Sequence, residues 1–443
     1  VSPATPDRSD APVSARPIVV VGGGIAGLAT ALALRALGVD CRVAESAREI
    51  VPLGVGLSVL PHGTRVLHRL GLADAIVPVA VEILRTEYRD EAGRLLHAEA
   101  CGRAAGLPFP QWSLHRGNLH AVLVRALRER HGDDVLRAGA RLLALAPQAD
   151  HVRARFEDRR HGGDFDWEAD AVIGADGILS AVRATLQPGE GEPRATGTVL
   201  VRGLTWGRPI GDGHTALVLG APGRVVSVAP VRPPGRDGRQ LLGWVAALDA
   251  RAGGDAVAGD WNRAVDRARI APRFEGLRCA GLDVSALIGD AEVCLSYPEV
   301  DRDPLCAWVD GRIALIGDAA HPVLPVGDNG ASQALLDAEA IAECIAARPG
   351  EVPRALAEFQ ARRLAPANAL VLANRARGPE RLLQQARDRR AAAPASAGEA
   401  LLPSESVDAV MGDYRRTAGF DREALEAMAA WPSWSASRRT DAR

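Results

Sequence analysis

The sequence contains no lysine; all 53 of its basic side chains are arginine. That excludes Schiff-base chemistry and any lysine nucleophile. The abundance of Ala, Gly and Pro points to GC-rich codon usage as the origin of the bias. The six cysteines (Cys41, Cys101, Cys279, Cys294, Cys306, Cys344) form no CxxC pair and no metal-like spacing. This excludes a zinc-ribbon pattern, argues against a disulfide framework and suits a reducing cytosol. No uninterrupted apolar run approaches the roughly 18 residues of a membrane span. Residues 1–16 carry Pro, Ser, Asp and Arg without an apolar core, so they read as a disordered leader and not a signal peptide. The net charge of −2 gives no electrostatic reason for nucleic acid or an anionic membrane as partner. The expectation is a cytoplasmic, soluble protein, monomeric or homodimeric, that meets small molecules.

What is present suggests two packed domains, because 443 residues exceed one ordinary core. Pro17 to Val21 reads as an apolar strand, followed by glycines, an Ala/Leu-rich helix through Leu37, and a second strand from Cys41 that ends at Glu45. Gly22-Gly23-Gly24-Ile25-Ala26-Gly27 is a GxGxxG in the strand–turn–helix context that gives the pattern meaning. Gly22 allows the tight turn, Gly24 lets a pyrophosphate approach the backbone, and Gly27 lets helix pack on strand. The helix N-terminus offers free N–H groups and a positive dipole end to phosphate. Glu45 stands where an acid binds adenosine ribose hydroxyls. This predicts dinucleotide binding without separating FAD from NAD.

The separation comes from Arg312 to Ile316, a strand running into Gly317-Asp318-Ala319-Ala320-His321-Pro322 and then Pro325-Val326-Gly327-Asp328-Asn329-Gly330 before a helix from Ala331. A carboxylate at a strand end accepts hydrogen bonds from polyol hydroxyls such as FAD's ribityl chain. The helix start would stabilise the anionic N1/O2 edge of reduced flavin. A plain Gly/Pro turn capped by Asp318 is the bland alternative. Ile173-Gly174-Ala175-Asp176-Gly177 is a third strand-to-turn element, with Ser180 and Arg183 opening a helix. Asp176 there is either a helix cap or a contact near a pyrophosphate. The stretch from about Thr196 to Ala247 alternates short β-like runs with Gly/Pro turns, a separate sheet-built region. Ala391 to Gly398 reads as a loop between terminal helices.

The ordered trio GxGxxG, GADG and GDAAHP resembles the group A flavoprotein monooxygenases, over about Pro17 to Asn374. Finer features are similar to the 5-methylphenazine-1-carboxylate 1-monooxygenase type. They are Pro52-Leu53-Gly54-Val55-Gly56, Gln111 to Gly117, Asp260-Trp261-Asn262-Arg263, Tyr297 to Pro304, Asn329 to Ala334, and the tail from Tyr414 to Phe420. The resemblance implies an α/β chain: a Rossmann-type FAD-binding domain, an inserted β-sheet substrate domain and a C-terminal helical segment. The FAD-binding domain is expected over 17–84, 114–190 and 285–375, the substrate domain over 85–113 and 191–284, and the helical tail over 376–443.

It further implies FAD contacts at Gly22, Gly24, Gly27, Glu45, Arg116, Asp176 and Asp318. Gly54 to Gly56 and Pro325, Gly327, Asn329 and Gly330 would enclose the isoalloxazine. NADH or NADPH would reduce the flavin, oxygen would add at flavin C4a, and the hydroperoxide would oxygenate an electron-rich ring. The cofactor carries that chemistry, which accounts for the lack of a triad, metal cluster or obligatory catalytic side chain. The missing lysine and the missing WxWxIP segment argue against a flavin-dependent halogenase. A reductase that inserts no oxygen, and a non-catalytic flavin-binding protein, remain as alternatives.

Two positions depart from the branch. Leu324 stands where Tyr is common, and Asp328 stands where a small neutral residue is usual; Asp328 is expected to point to solvent. For the substrate, Trp206, Trp244 and Tyr297, with Pro298, are candidates for an aromatic pocket. Arg85 and Arg202 are candidate partners for a substrate carboxylate, with the solvated-surface role favoured for both.

Overall fold

The structure, a computed structural model, describes residues 16–51, 54–249, 261, 263–279, 281–392, 402–429 and 434. Fifteen of the sixteen leader residues, the Pro52-Leu53 pair, Asp260, Asn262 and most of the Ala391–Gly398 segment lie outside them; Ala391 and Ala392 end a helix, Arg381–Ala392.

The Val-rich strand Ile18–Val21 is buried at every position, as a central parallel strand must be. It pairs in parallel with Ala171–Gly174 on one side and Cys41–Glu45 on the other. Leu136–Ala138 and Ile313–Leu315 extend the sheet, and Val309–Asp310 adds an antiparallel edge. The helices Ile25–Ala36 and Gly330–Ala347 pack against each other. Their Ala-rich, nearly all-buried surfaces allow that close approach. The nucleotide-binding order of strands is therefore present, assembled from segments nearly 300 residues apart.

The second large sheet has eight strands. Its centre is the fourteen-residue strand Arg194–Gly207, flanked by Gln240–Asp249 and Val293–Asp301. Strands Arg224–Pro230, Thr215–Ala221, Arg85–Asp90 and Leu95–Ala100 follow. Alternation assigns the two faces. Val199 and Val201 join Trp244, Ala246, Phe274 and Leu287 in a closed core, while Leu200 and Arg202 face a cavity. Val293–Asp301 pairs within this sheet, although the sequence assigned its residues to the nucleotide-binding part. The preceding helix Val284–Gly289 likewise belongs to the second core.

Two smaller sheets were not anticipated. Ala140–Pro147, Val152–Asp158 and Asp164–Ala169 form an antiparallel meander. Gly56–Val59, Gln111–His115 and Ala80–Ile83 form another, which leads Gly54 and Arg116 to the cavity. After the 24-residue helix Val352–Arg375, the chain closes over the second sheet with Arg381–Ala392 and Ser404–Ala418. No described helix is long and apolar enough to cross a membrane.

Candidate active site

The glycine turn is built by exclusion. A Cβ on Gly22, whose φ is +112°, would lie 2.3 Å from the Ala175 carbonyl oxygen, and one on Gly27 would lie 2.0 Å from the Gly22 carbonyl. Around Gly24 there is nothing within 4 Å. Two glycines thus close the turn on its neighbours and the third leaves an open face. No side chain caps the following helix, so its first N–H groups remain available to an anion. Glu45 Oε2 accepts from Gly23 N at 2.7 Å, and His120 Nε2 lies 2.7 Å from the Gly23 carbonyl. Both hold the turn from outside.

Gly24, Ile25 and Ala26 open onto a cavity of about 1030 Å³ that runs between the two large sheets to the C-terminal helices. The 3₁₀ turn Gly317–Ala319 delivers the Asp318 carboxylate to this cavity. Asp318 and Asp328 both have exposed surface, but that surface opens into the cavity. Burial among the surrounding walls pushes both carboxyls up, opposed at Asp318 by His321, Arg116 and Arg202 and at Asp328 by Ser58 and Arg202. Arg116 begins the helix Arg116–His131 and lines the same space. Its backbone N–H donates to the Val55 carbonyl at 2.8 Å, and a Cβ on Gly54 would meet its side chain at 3.1 Å.

Pro325, Gly327, Asn329 and Gly330 form the far wall. Gly327 has φ +69°, and a Cβ there would strike the Tyr414 hydroxyl at 2.2 Å. No side chain caps the helix Gly330–Ala347, so its N-terminus also faces the cavity unshielded. Beneath it, Asp337 Oδ2 accepts from Gly317 N at 2.9 Å and meets His321 Nε2 at 2.5 Å, while Oδ1 accepts from Arg363 at 2.7 Å. Despite burial, these partners pull the Asp337 carboxyl down to about 2.

Asp176 braces the start of the helix Ala181–Leu186, whose N-cap is Ser180. Its carboxylate accepts from Ser180 Oγ at 2.5 Å and from the N–H groups of Ala181 and Val182 at 2.7 and 3.2 Å. Among the substrate candidates, Tyr297 lines the cavity. Trp244 borders it but is a core residue, 1% exposed, donating to Thr205 Oγ at 2.9 Å. Trp206 does not itself line the cavity: it packs with Val55, Leu204, Val231 and Leu241, of which Val55 and Val231 form part of the wall.

The surface role favoured for the two arginines holds for Arg85, which is exposed and pairs with Glu87 at 3.0 Å. It fails for Arg202. That guanidinium lines the cavity 5.0 Å from the Tyr297 ring centroid, makes no hydrogen bond or ion pair with any described residue, and leaves its Nε buried without a partner. Burial lowers its pKa, though an arginine remains charged. The signal was in the sequence: a lone arginine among Val199, Leu200, Val201 and Leu204. Asp328 is also corrected, since Ser58 Oγ donates to its carboxylate at 2.9 Å and it faces the cavity instead of bulk solvent.

The residues fit FAD: an open glycine turn, two uncapped helix N-termini, an arginine and a strand-end carboxylate share one long cavity. That arrangement defines a flavin-dependent oxidoreductase. Residues 15–374 match the FAD binding domain family, and the chain belongs to it. It is 39% identical over 364 residues to a phenazine 1,6-dicarboxylic acid hydroxylase of Lysobacter antibioticus, covering 81% of this chain and 89% of that one. It is 33% identical over 360 residues to 3-amino-4-hydroxybenzoate 2-monooxygenase of Streptomyces cremeus, covering 78% and 83%. In fold it is similar to salicylate hydroxylase in a substrate complex, with TM-score 0.69 and 24% identity over 94% of this chain and 98% of that one. The chain is a group A FAD-dependent aromatic monooxygenase, with NAD(P)H as co-substrate.

Proposed function

We propose that this enzyme oxygenates a small phenolic or nitrogen-containing aromatic carboxylate, seated by Arg202. The observation that carries the reading is a guanidinium in the cavity wall that rests on the Tyr297 ring and has no ion-pair or hydrogen-bond partner among the described residues. Its Nε is buried with no acceptor, which is costly, and a bidentate carboxylate fits its donor fork. Both relatives named above act on aromatic carboxylic acids, which supports the same class here.

When bound, FAD supplies the transfer of electrons from NADH or NADPH and the activation of dioxygen. The chain's own residues do the rest. Gly22, Gly24 and Gly27 admit the pyrophosphate, and Glu45, Arg116 and Asp318 hold its sugar and polyol portions. Asp176 acts through the turn it braces. Gly54, Gly56, Pro325, Gly327, Asn329 and Gly330 enclose the ring system. Arg202 orients the substrate, Tyr297 packs beside it, and the tail wall of Met411, Tyr414 and Phe420 keeps water out. We read the six-stranded sheet with its helices as the FAD-binding domain, the eight-stranded sheet as the substrate domain, and the last helices as its cover. We further read the protein as cytoplasmic, monomeric or homodimeric, and independent of nucleic acid and membrane.

The test is NADH and NADPH oxidation by the flavin-loaded protein against a panel of aromatic carboxylates and their neutral amides, with products examined under oxygen-18. Label in a carboxylate product, and a KM at least tenfold higher in Arg202→Gln, are expected. Stimulated NAD(P)H oxidation without label would replace this reading with a reductase. A preference for the amides would remove the anion anchor.

A further inference from the structure

Asp328 is one of only two non-glycine residues with positive φ among the described residues, at +55°. An L-residue in that conformation is disfavoured, and one held there at a site wall suggests a use for its side chain. Gly327 before it is also left-handed, and Asn329 after it is helical at φ −87°; Asp328 lines the cavity at this bend. Ser58, 270 positions away, donates its hydroxyl to one carboxylate oxygen, Oδ2. The other oxygen has no hydrogen bond from a described residue. Asp328 faces the same cavity as Arg202, and each shifts the other's ionisation, yet no ion pair joins them. Two opposite charges therefore line one cavity with no ion pair between them.

We propose that Asp328 is a specificity-determining residue that accepts a hydrogen bond from an amino, ring N–H or hydroxyl group of the substrate while Arg202 holds its anionic group. This rests on the monooxygenase reading and narrows it to aromatic acids that also carry a donor. An acceptor-only carboxylate rewards a donor and penalises a ligand that leaves it buried without one. The discrimination expected from one hydrogen bond to a charged group is about tenfold or more. Anionic ligands without a donor also meet its repulsion.

The experiment titrates the FAD-loaded enzyme with benzoate, the three aminobenzoates and the three hydroxybenzoates, reading Kd from the perturbed flavin absorption. At least one donor-bearing isomer is expected to bind about tenfold more tightly than benzoate. In Asp328→Ser that preference falls to near one while benzoate binding is kept or improved; Asp328→Asn, which retains a neutral acceptor, restores part of it. Ser58→Ala, which leaves the carboxylate in place but loosens it, reduces the preference to a lesser extent. Equal binding of benzoate and every isomer by the parent protein would overturn the proposal. So would a preference that survives in Asp328→Ser, and so would a variant that loses FAD affinity in proportion, which would assign the carboxylate to the flavin. The pair aniline and toluene applies the same test without a carboxylate. If benzoate fails to bind but aniline is preferred through Asp328, the anion anchor falls and the donor site stands.

Discussion

The Tyr414 hydroxyl donates to Asn374 Oδ1 at 2.9 Å, and Asn374 Nδ2 in turn donates to the carbonyls of Leu324 and Val326 at 2.8 and 3.0 Å. Asn329 Nδ2 donates to the same hydroxyl at 3.0 Å. A residue from the last long helix is thus tied through one buried oxygen to both ends of the loop that faces the cavity. Leu324, which brings no hydroxyl of its own, contributes its carbonyl to this hub.

Tyr414→Phe removes that oxygen and leaves buried amide groups unpartnered. The expected cost is about 1–3 kcal/mol, seen as a melting temperature lower by several degrees. Because the loop loses its tether, the ratio of hydrogen peroxide formed to NAD(P)H consumed should rise. An unchanged ratio together with a lowered melting temperature would make Tyr414 structural only.

Gly22 and Gly24 should separate folding from binding. Gly22→Ala forces a side chain against the Ala175 carbonyl, so it is expected to lower both stability and FAD retention. Gly24→Ala meets nothing in the chain, so the flavin-free protein should melt within a degree or two of the parent while its Kd for FAD rises at least tenfold. Equal effects of the two substitutions would contradict the open-face reading of Gly24.

Glu380 lines the cavity beside Arg377, Glu299 and Asp328, and burial raises its carboxyl from 4.5 to about 7. The native state binds a proton that the unfolded chain releases above pH 4.5. Stability from this group is therefore present below that pH and lost as pH rises to about 7. Glu380→Gln should match the parent near pH 4 and melt higher than it above pH 7. Thermal melts across this range decide the point.

His62 carries the opposite sign. Burial, with Arg363 and Arg65 nearby, lowers it from 6.5 to about 3. It stays neutral in the fold while the unfolded chain takes up a proton, so stability is full above about pH 6.5 and declines toward pH 3. His62→Gln is expected to flatten the acid side of the stability profile, measured by denaturant midpoint against pH.

The parts legible in the sequence were those where chemistry forces local spacing. Only glycine satisfies the contacts at Gly22 and Gly27, and the strand-to-turn step at Asp318 repeats that logic. The alternation in Val152-Arg153-Ala154-Arg155-Phe156 is equally plain, with Val152, Ala154 and Phe156 inside. The helix end at Ala36 came within a residue of the expected Leu37. What could not be read were pairings across long sequence separation. Ser58 with Asp328, and Asn329 with Tyr414, depend on how sheets and tail are stacked, and no local pattern encodes that. Strand Val293–Asp301 was misassigned for the same reason, since its partner Arg194–Gly207 lies a hundred residues earlier.

The tail wall has a consequence for biosynthesis. The parallel sheet under the glycine turn is complete only once Ile313–Leu315 has been made, about a hundred residues before Tyr414, so the cover is the last part of the cavity wall to be translated. A chain ended before Ser404 would keep every strand of both large sheets and lose this wall, so its cavity would open on that side.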